Sequence, residues 1–163
     1  LPKGLKDINC FNNELEELPI LPKGLETLLC SGNKLKELPI LPEGLEELLC
    51  NCNNLKKLPI LPEGLEGISC NNNKLKEITR LPKELRFLYC SDNELEKIFE
   101  LPKGLKYFNC YNNKLKELPR LTKRLEKLYC FNTDLPYEDL EGYWEWFYKK
   151  NPDLGEAEKM GLF

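Results

Sequence analysis

The sequence contains no histidine, so it lacks the most common general base and one of the commonest zinc ligands. A Ser-His-Asp triad or a Cys-His pair therefore cannot be assembled from this chain. Long hydrophobic runs are also missing, since no segment approaches the ~18 consecutive apolar residues of a membrane-spanning helix. These absences argue against the usual hydrolytic enzymes and against an integral membrane protein.

The sequence also lacks a large excess of either positive or negative charge. The 24 basic and 27 acidic residues give a net charge of −3 and are interleaved along the chain. Because nucleic acids and anionic membranes attract a basic face, we expect neither as a partner. No N-terminal segment has the order of a signal peptide. The chain begins with Leu1 and not Met, and we expect it to be an excised or processed piece of a longer protein.

What the sequence does contain is a 20-residue repeat without insertions. The first unit, LPKGLKDINCFNNELEELPI, begins at residue 1, and equivalent units begin at residues 21, 41, 61, 81 and 101. A seventh unit begins in register at residue 121 and decays towards Leu135. Inside the units runs the pattern L-x-x-L-x-C-x-x-N-x-L, which is typical of leucine-rich repeats with periods of about 20–29 residues.

The opening L-P-x-G-L of five units and the closing L-P of four resemble the short repeats of bacterial secreted effectors of the YopM and IpaH type. The resemblance covers residues 1 to 135 and implies a leucine-rich-repeat solenoid that binds a partner. Some of these effectors carry a ubiquitin-ligase domain after their repeats. The residues after Leu135 are too few for that domain, and every cysteine lies inside a repeat.

The periodicity supports a solenoid independently of the resemblance. Positions 8 and 10 of each unit are apolar and alternate with variable residues, which indicates a short strand. Prolines with φ fixed near −65° flank the leucines of the remaining segment, so we expect an extended, polyproline-like convex return. These prolines include Pro2, Pro19, Pro22, Pro39, Pro42, Pro59 and Pro62. The predicted fold is a solenoid with short parallel strands on its concave face, spanning roughly 30 Å over seven turns.

One asparagine recurs at position 13 of the unit: Asn13, Asn33, Asn53, Asn73, Asn93 and Asn113. A stacked amide column can satisfy backbone groups that the bend leaves buried, and we predict such a ladder. A catalytic or glycosylated asparagine is the alternative, but none of the six is followed by x-Ser or x-Thr. Thr133 ends the column.

Seven of the eight cysteines share position 10: Cys10, Cys30, Cys50, Cys70, Cys90, Cys110 and Cys130. Parallel neighbours hold Cβ atoms about 4.8 Å apart, whereas a disulfide needs about 3.8 Å. Zinc sites favour close pairs, and alternation sends the close pair Cys50 and Cys52 to opposite faces. We interpret the column as small apolar core filler, with disulfides and metal as open alternatives. We expect no metal, no cofactor and a reducing compartment.

Positions 7, 9, 11 and 12 are not needed for the core and vary between units, as a concave recognition surface would. Six aromatic residues occupy such positions on three adjacent units: Phe87, Tyr89, Tyr107, Tyr111, Tyr129 and Phe131. We predict that they form an exposed patch that binds a partner, rimmed by Lys106, Lys127 and Asp92. The alternative is that the rings brace one another or cover the cap. Leu29 and Leu49 form a smaller second candidate.

The composition changes after Leu135, and we predict a repeat domain over residues 1–135 and a helical cap over 136–163. Asp134 is the predicted N-cap of a helix that begins near Pro136 and ends at Asn151-Pro152. Its apolar face is built by helical spacing from Leu140, Tyr143, Trp144 and Phe147. A second short helix is predicted over 155–160. These helices would cover the last turn of the solenoid, and a partner-binding or membrane-surface helix is the alternative.

The sequence therefore favours a non-catalytic protein-binding scaffold that works in a reducing cytoplasm, that of a host cell if the chain is a secreted effector. We expect a monomer, with self-association through the uncapped N-terminal end as the alternative. Two other hypotheses stay open: the substrate-recognition fragment of a larger effector enzyme such as a ubiquitin ligase, and a consensus-engineered scaffold. The regular period favours engineering, whereas Glu84 and Arg124 at the glycine position disfavour it.

Overall fold

Each repeat unit contributes one short strand to a single sheet in the computed structural model, which describes residues 1–154. The strands are β1 (Asp7–Asn9), β2 (Thr27–Leu29), β3 (Glu47–Leu49), β4 (Gly67–Ser69), β5 (Glu77–Ile78), β6 (Phe87–Tyr89), β7 (Lys97–Ile98), β8 (Tyr107–Asn109) and β9 (Lys127–Tyr129), followed by the helix α1 (Leu140–Lys150). Seven strands pair in parallel in the order β1-β2-β3-β4-β6-β8-β9. The predicted solenoid is confirmed.

Every residue of the sheet pairs with the residue one repeat further along the chain. Ile8 faces Leu28, and Leu28 faces Leu48, so the seven turns coil in one register. Hydrogen bonds between turns continue on both sides of the strands, with Glu46 N donating to Glu26 O at 2.8 Å and Cys30 N donating to Leu49 O at 2.8 Å. Side chains twenty residues apart in sequence are therefore neighbours in space.

The core is a stack of leucines and small apolar residues at fixed positions of the unit. Leu25, Leu28 and Leu35 of the second turn are fully buried, as are their counterparts in the third to sixth turns to within 1%, whereas Leu135 of the seventh turn is half-buried. The first turn has no neighbour before it within the chain, and its Leu15 is 37% exposed. Core burial therefore depends on stacking, because each turn covers the apolar edge of the next.

The cysteine column lies inside this core. Cys30 through Cys130 at position 10 are buried, Cys10 is half-buried, and all eight cysteines are free thiols. Burial raises the pKa of the Cys30 and Cys70 thiols to about 12. These thiols are therefore neutral at pH 7 and behave as apolar filler. Cys52 is exposed.

The asparagine ladder is confirmed, and it links each turn to the turn before it. Asn53 Nδ2 donates to Cys50 O at 3.1 Å in its own turn and to Cys30 O at 3.1 Å in the preceding turn. Its Oδ1 accepts from Leu35 N at 3.0 Å. In the seventh unit the shorter Thr133 donates to Cys130 O at 2.6 Å. The amides thus satisfy backbone groups at the corner where the chain leaves the sheet.

That corner requires a left-handed backbone at position 12. The φ angles there lie between 50° and 68° in all seven units, at Asn12, Gly32, Cys52, Asn72, Asp92, Asn112 and Asn132. Glycine, asparagine and aspartate adopt this conformation more readily than other residues. Cys52 is therefore at an unfavourable position for its residue type.

The return segments contain no helix within residues 1–154, but two of them form a second sheet that the sequence analysis did not predict. β5 and β7 pair in parallel, with Ile78 opposite Ile98. The residues that follow are Thr79 and Phe99, whereas the equivalent position of other units holds a proline: Pro19, Pro39, Pro59 and Pro119. Since proline has no backbone N–H, a strand ladder forms where it is replaced.

The predicted start of the C-terminal helix is wrong. The helix begins at Leu140 and not near Pro136, and its N-cap is Asp139, which accepts from Gly142 N at 2.8 Å, and not Asp134. Residues 136–139 instead line the free edge of β9: Cys130 N donates to Glu138 O at 3.0 Å, and Tyr129 forms an antiparallel bridge with Asp139. Unpaired backbone groups at that edge compete successfully with earlier helix formation.

The helix caps the seventh turn with its predicted face. Tyr143 and Phe147 are buried, and the Tyr143 hydroxyl accepts from Leu121 N at 3.1 Å. The helix ends at Lys150, as the Asn151-Pro152 pair predicted. The boundary between residues 135 and 136 remains a prediction, and the second helix predicted over 155–160 lies outside the described residues. Within residues 1–154, no helix has the length and apolar character needed to cross a membrane.

Candidate protein-binding surface

Positions 7 and 9 of the seven turns form one face of the sheet, which we call the outer sheet face. It is the face that the sequence predicts to be concave. Position 8 points into the core between them, so these side chains stand on the opposite side of the strands. Position 7 holds Asp7, Thr27, Glu47, Gly67, Phe87, Tyr107 and Lys127, and position 9 holds Asn9, Leu29, Leu49, Ser69, Tyr89, Asn109 and Tyr129.

The six predicted aromatic residues lie on β6, β8 and β9 and at the corners after β8 and β9, and we call them the aromatic cluster. Two pairs stack across neighbouring turns: Phe87 on Tyr107, with ring centroids 5.3 Å apart, and Tyr111 on Phe131, at 4.6 Å. Tyr129 is 44% exposed and Phe131 38% exposed, while the other four are half-buried. The rings therefore brace one another and still expose apolar area.

Two of the predicted rim residues also contact the aromatic cluster or its neighbours. Lys127 Nζ stands over the Tyr107 ring, 5.9 Å from its centroid. Lys106 forms a 3.1 Å ion pair with Glu126, and hydrogen bonds from Lys106 and then Tyr107 lower the pKa of the Glu126 carboxyl group. The Tyr107 ring is thus held in place by its stacking partner, by a cation and by its hydroxyl.

Asp92, the third rim residue, is part of a polar ladder at the left-handed corner. Its Oδ1 accepts from Asn112 Nδ2 at 2.6 Å, and Asn112 Oδ1 accepts from Asn132 Nδ2 at 2.8 Å. Asp92 is half-buried and lies at position 12, one residue beyond the column that holds Tyr111. It can therefore border the aromatic cluster without interrupting its apolar area.

Asn109 lies inside the aromatic cluster, and the sequence analysis did not single it out. The strand register places it between Tyr89 and Tyr129. Its Oδ1 atom is buried and has no hydrogen-bond partner among the described residues. An unpaired acceptor costs free energy that a donor from a partner would recover. The sequence does carry a signal for this residue: Asn109 is polar, whereas the same position of the units before and after it holds tyrosine.

A polar belt separates the aromatic cluster from the N-terminal turns, and it was not predicted. Asn51 Oδ1 accepts from Ser69 Oγ at 2.7 Å and from Asn71 N at 2.8 Å. Asn71 Oδ1 accepts in the same way from Ser91 N and Ser91 Oγ, both at 2.8 Å. Beyond this belt, Leu29 and Leu49 are half-buried neighbours in register. They form a small apolar area well separated from the aromatic cluster.

The return side carries another apolar feature that the sequence analysis missed. Ile20, Ile40 and Ile60 are 91%, 91% and 89% exposed at the last position of their units. The equivalent position of the later units holds Arg80, Glu100 and Arg120. The signal was present in the sequence as isoleucine between two Leu-Pro steps, a place that the core pattern does not use.

The described residues include no group of three or more histidine, cysteine, aspartate or glutamate residues placed to hold a metal ion. The surface features that the structure does bring together are contact features: stacked rings, a buried acceptor and a charged border. Exposed apolar area and unmade hydrogen bonds are features that protein interfaces generally use.

Comparison with known proteins gives matches among solved structures. No protein-family model matches the chain, and no curated protein matches it. YopM, a leucine-rich effector protein from Yersinia pestis, superposes with a TM-score of 0.71 and 35% identity over 83% of this chain and 46% of that chain. A Shigella effector leucine-rich-repeat domain gives a TM-score of 0.74 and 30% identity over 83% and 63%.

A third structure, YopM from Yersinia enterocolitica, gives a TM-score of 0.62 and 31% identity over 83% of this chain and 39% of that chain. The chain spans less than two thirds of the length of each of these three structures. The similarity confirms the resemblance drawn from the repeat pattern: the fold is a leucine-rich-repeat solenoid of the kind found in bacterial effectors.

Proposed function

We propose that this leucine-rich-repeat solenoid, which resembles the repeat domains of bacterial effectors, is a non-catalytic scaffold that binds a protein through its outer sheet face. The aromatic cluster is the centre of the contact, with Lys127 and Asp92 on its border. The observation that carries this proposal is the pair of ring stacks, which expose aromatic area on a ladder of hydrogen-bonded strands.

The physical character of the surface favours a protein partner. Tyrosine supplies a large contact area with few rotatable bonds, so little entropy is lost when it is buried. Stacking in the free state reduces that loss further, because the rings are already ordered. Border charges of both signs, on Lys127 and Asp92, suit a protein surface better than a uniform polyanion. Leu29 and Leu49 would add a secondary contact for a partner long enough to reach them.

The state of the thiols supports a role without catalysis. Burial raises the pKa of Cys70 and Cys130 to about 12, so neither is a thiolate nucleophile at neutral pH. The outer sheet face is open, and an open face excludes little water from a reacting group. A column of reduced cysteines also supports a reducing compartment as the working environment.

A second candidate is that the solenoid is the substrate-recognition part of a larger effector enzyme. It is favoured by the similarity to a Shigella effector repeat domain, of whose chain this sequence covers 63%. Both candidates assign the same task to the aromatic cluster, and they differ in what lies beyond the repeats. An activity assay for ubiquitin transfer on the full-length gene product, with and without the repeats, distinguishes them.

The test uses the wild-type domain and a Tyr107→Ala/Tyr129→Ala double variant. Proteins captured by the wild-type domain are identified and purified, and their affinities for both forms are measured by calorimetry. We expect the double variant to lose about 2 kcal/mol or more, which is roughly a thirtyfold loss of affinity.

The matched control is Phe99→Ala, which removes an aromatic ring that is 51% exposed on the return side. Its affinity should equal that of the wild type. Equal binding by the wild type and the double variant, with both folded by circular dichroism, contradicts the proposal.

A further inference from the structure

An open cavity of about 670 Å³ lies between the sixth and seventh turns and the helix α1. Its walls come from the return segments and from Trp144 of the helix, and none of its residues belongs to the outer sheet face. We call it the seventh-turn cavity. No residue of the aromatic cluster lines it, and the core residues Leu101 and Leu121 form part of its wall.

The repeat pattern is broken at three positions that line this cavity. Arg120 stands where the first three units have isoleucine, Thr122 where six units have proline, and Arg124 where five units have glycine. The segment that reads LPILPKGL in the first and second units reads LPRLTKRL here. The substitutions replace apolar, proline and glycine positions by hydrogen-bond donors, and all three face one space.

The cavity concentrates positive charge in a chain whose net charge is −3. Among the described residues, Lys103, Arg120, Lys123 and Arg124 line it together with one acidic residue, Glu100. Six basic residues elsewhere in the described part of the chain form ion pairs, among them Lys36 with Glu16 and Lys106 with Glu126. Within residues 1–154, no carboxylate forms an ion pair with Lys103, Arg120 or Arg124.

Arg120 and Thr122 place hydrogen-bond donors at this cavity. The Arg120 guanidinium lies over the Phe147 ring, 5.3 Å from its centroid, so the cap helix holds this side chain at the cavity. The Thr122 hydroxyl is buried and has no hydrogen-bond partner among the described residues. Threonine in place of proline thus supplies a hydroxyl donor whose bond is unmade in the free protein.

We propose that the seventh-turn cavity binds a phosphate group. Arginine presents paired N–H donors that match phosphate oxygens, and the Thr122 hydroxyl and Lys103 add further donors. Trp144 forms an apolar wall beside the charged groups, where the carrier of a phosphate ester would lie. A nucleic acid backbone would need basic residues along an extended path, whereas here they converge on one space. The ligand chemistry is therefore a single phosphate, free or carried as a monoester.

The proposal is tested by NMR titration of the ¹⁵N-labelled domain with inorganic phosphate and with phenyl phosphate, each against sodium chloride of equal ionic strength. We expect saturable shifts of the amides of residues 120–124 and of the Trp144 indole with phosphate but not with chloride. Tighter binding of phenyl phosphate identifies a phosphate ester as the ligand. Equal binding of the two identifies the free anion.

The decisive variant is Arg124→Gly, which restores the residue that five other units carry and so preserves the fold. It should weaken phosphate binding by about ten- to a hundredfold, the loss expected for one charge-assisted hydrogen bond. Lys74→Ala, which removes an exposed charge far from the cavity, should leave the affinity unchanged. The proposal is overturned by an absence of saturation in the wild type, by unchanged binding in Arg124→Gly, or by equal weakening in Lys74→Ala.

Discussion

Replacing Asn53 by alanine should destabilise the solenoid far more than the same change at Asn13. Asn53 is only 7% exposed. Its side-chain amide forms hydrogen bonds with two neighbouring turns. The substitution removes the Oδ1 acceptor of Leu35 N and the Nδ2 donations to Cys30 O, Cys50 O and Asn51 O. Asn51 O keeps Gly32 N as a donor at 2.8 Å. Asn13 occupies the same position of the first unit, and its side chain is exposed.

The magnitude follows from which backbone groups are left unpaired. After Asn53→Ala, Cys30 O still accepts from Asn33 Nδ2 at 3.0 Å and Cys50 O still accepts from Asn73 Nδ2 at 3.0 Å. Leu35 N alone loses its partner, and an orphaned buried N–H costs about 1–3 kcal/mol. With the weakened carbonyl contacts, we expect a loss of about 2–3 kcal/mol in the free energy of unfolding.

At Asn13 the expected loss is below about 1 kcal/mol, because its exposed Nδ2 donates to Cys10 O and Phe11 O, and its Oδ1 accepts from no described residue. Urea unfolding followed by circular dichroism measures both variants. The Asn53→Ala midpoint should fall by roughly 1 M, given a slope of about 2 kcal/mol/M. Equal losses in the two variants would refute the view that the amide column holds successive turns together.

Three further predictions follow from burial and backbone geometry. Ile40→Lys should change the urea midpoint little, because Ile40 is 91% exposed. Leu48→Ala should lower the free energy of unfolding by about 2–5 kcal/mol, because it opens a cavity in the core. Similar losses of stability in the two variants would contradict the assigned burial. In the native protein a thiol reagent should modify Cys52 first, because it is the exposed cysteine. Cys52→Gly should stabilise the fold by about 1 kcal/mol, because the φ angle of 52° is unfavourable for a cysteine. A destabilised Cys52→Gly variant would contradict this backbone strain. Burial raises the pKa of the Cys70 thiol from 9.0 to about 12. The stability that the neutral buried thiol contributes is therefore retained below pH 9 and lost as the pH rises towards 12. Urea midpoints measured from pH 7 to pH 11 should fall above pH 9, and they should fall less steeply in Cys70→Ala.

The turns of the solenoid could be predicted because one period fixes many contacts at once. When Leu28 and Leu48 recur twenty residues apart, the same period brings Cys30 next to Cys50 and Asn33 next to Asn53. The strand needed no long-range information beyond that period. The two predicted ladders followed from it directly, since a stacked column has no other neighbours.

Beyond the last repeat, the start of the helix could not be predicted correctly from the sequence. Asp134 and Pro136 have the local pattern of a helix start, yet the chain first covers the open edge of β9 and begins its helix at Leu140. That competition is set by unpaired backbone groups on a distant strand, which no local pattern records. The β5–β7 sheet was missed for a similar reason: its signal is the loss of proline at Thr79 and Phe99.

The candidate site was only partly accessible to sequence reasoning. Period alone gathers Tyr107, Tyr111 and Tyr129 on neighbouring turns, but it cannot show which rings stack. The unpaired Asn109 acceptor depends on the side chains around it, so it emerged from the structure alone. The exposed Ile20, Ile40 and Ile60 occupy a position of the unit that neither the strand nor the core pattern uses, so the repeat predicts nothing about their exposure.

The proposed recognition surface is tested most directly by hydroxyl-radical footprinting of the domain alone and in complex with its purified partner. Tyr129 and Phe131 are 44% and 38% exposed in the aromatic cluster, while Phe11 and Phe99 are 50% and 51% exposed away from it. We predict that the complex protects Tyr129 and Phe131 from oxidation and leaves Phe11 and Phe99 as reactive as before. Protection of Phe11 or Phe99, with Tyr129 and Phe131 unchanged, would contradict the account.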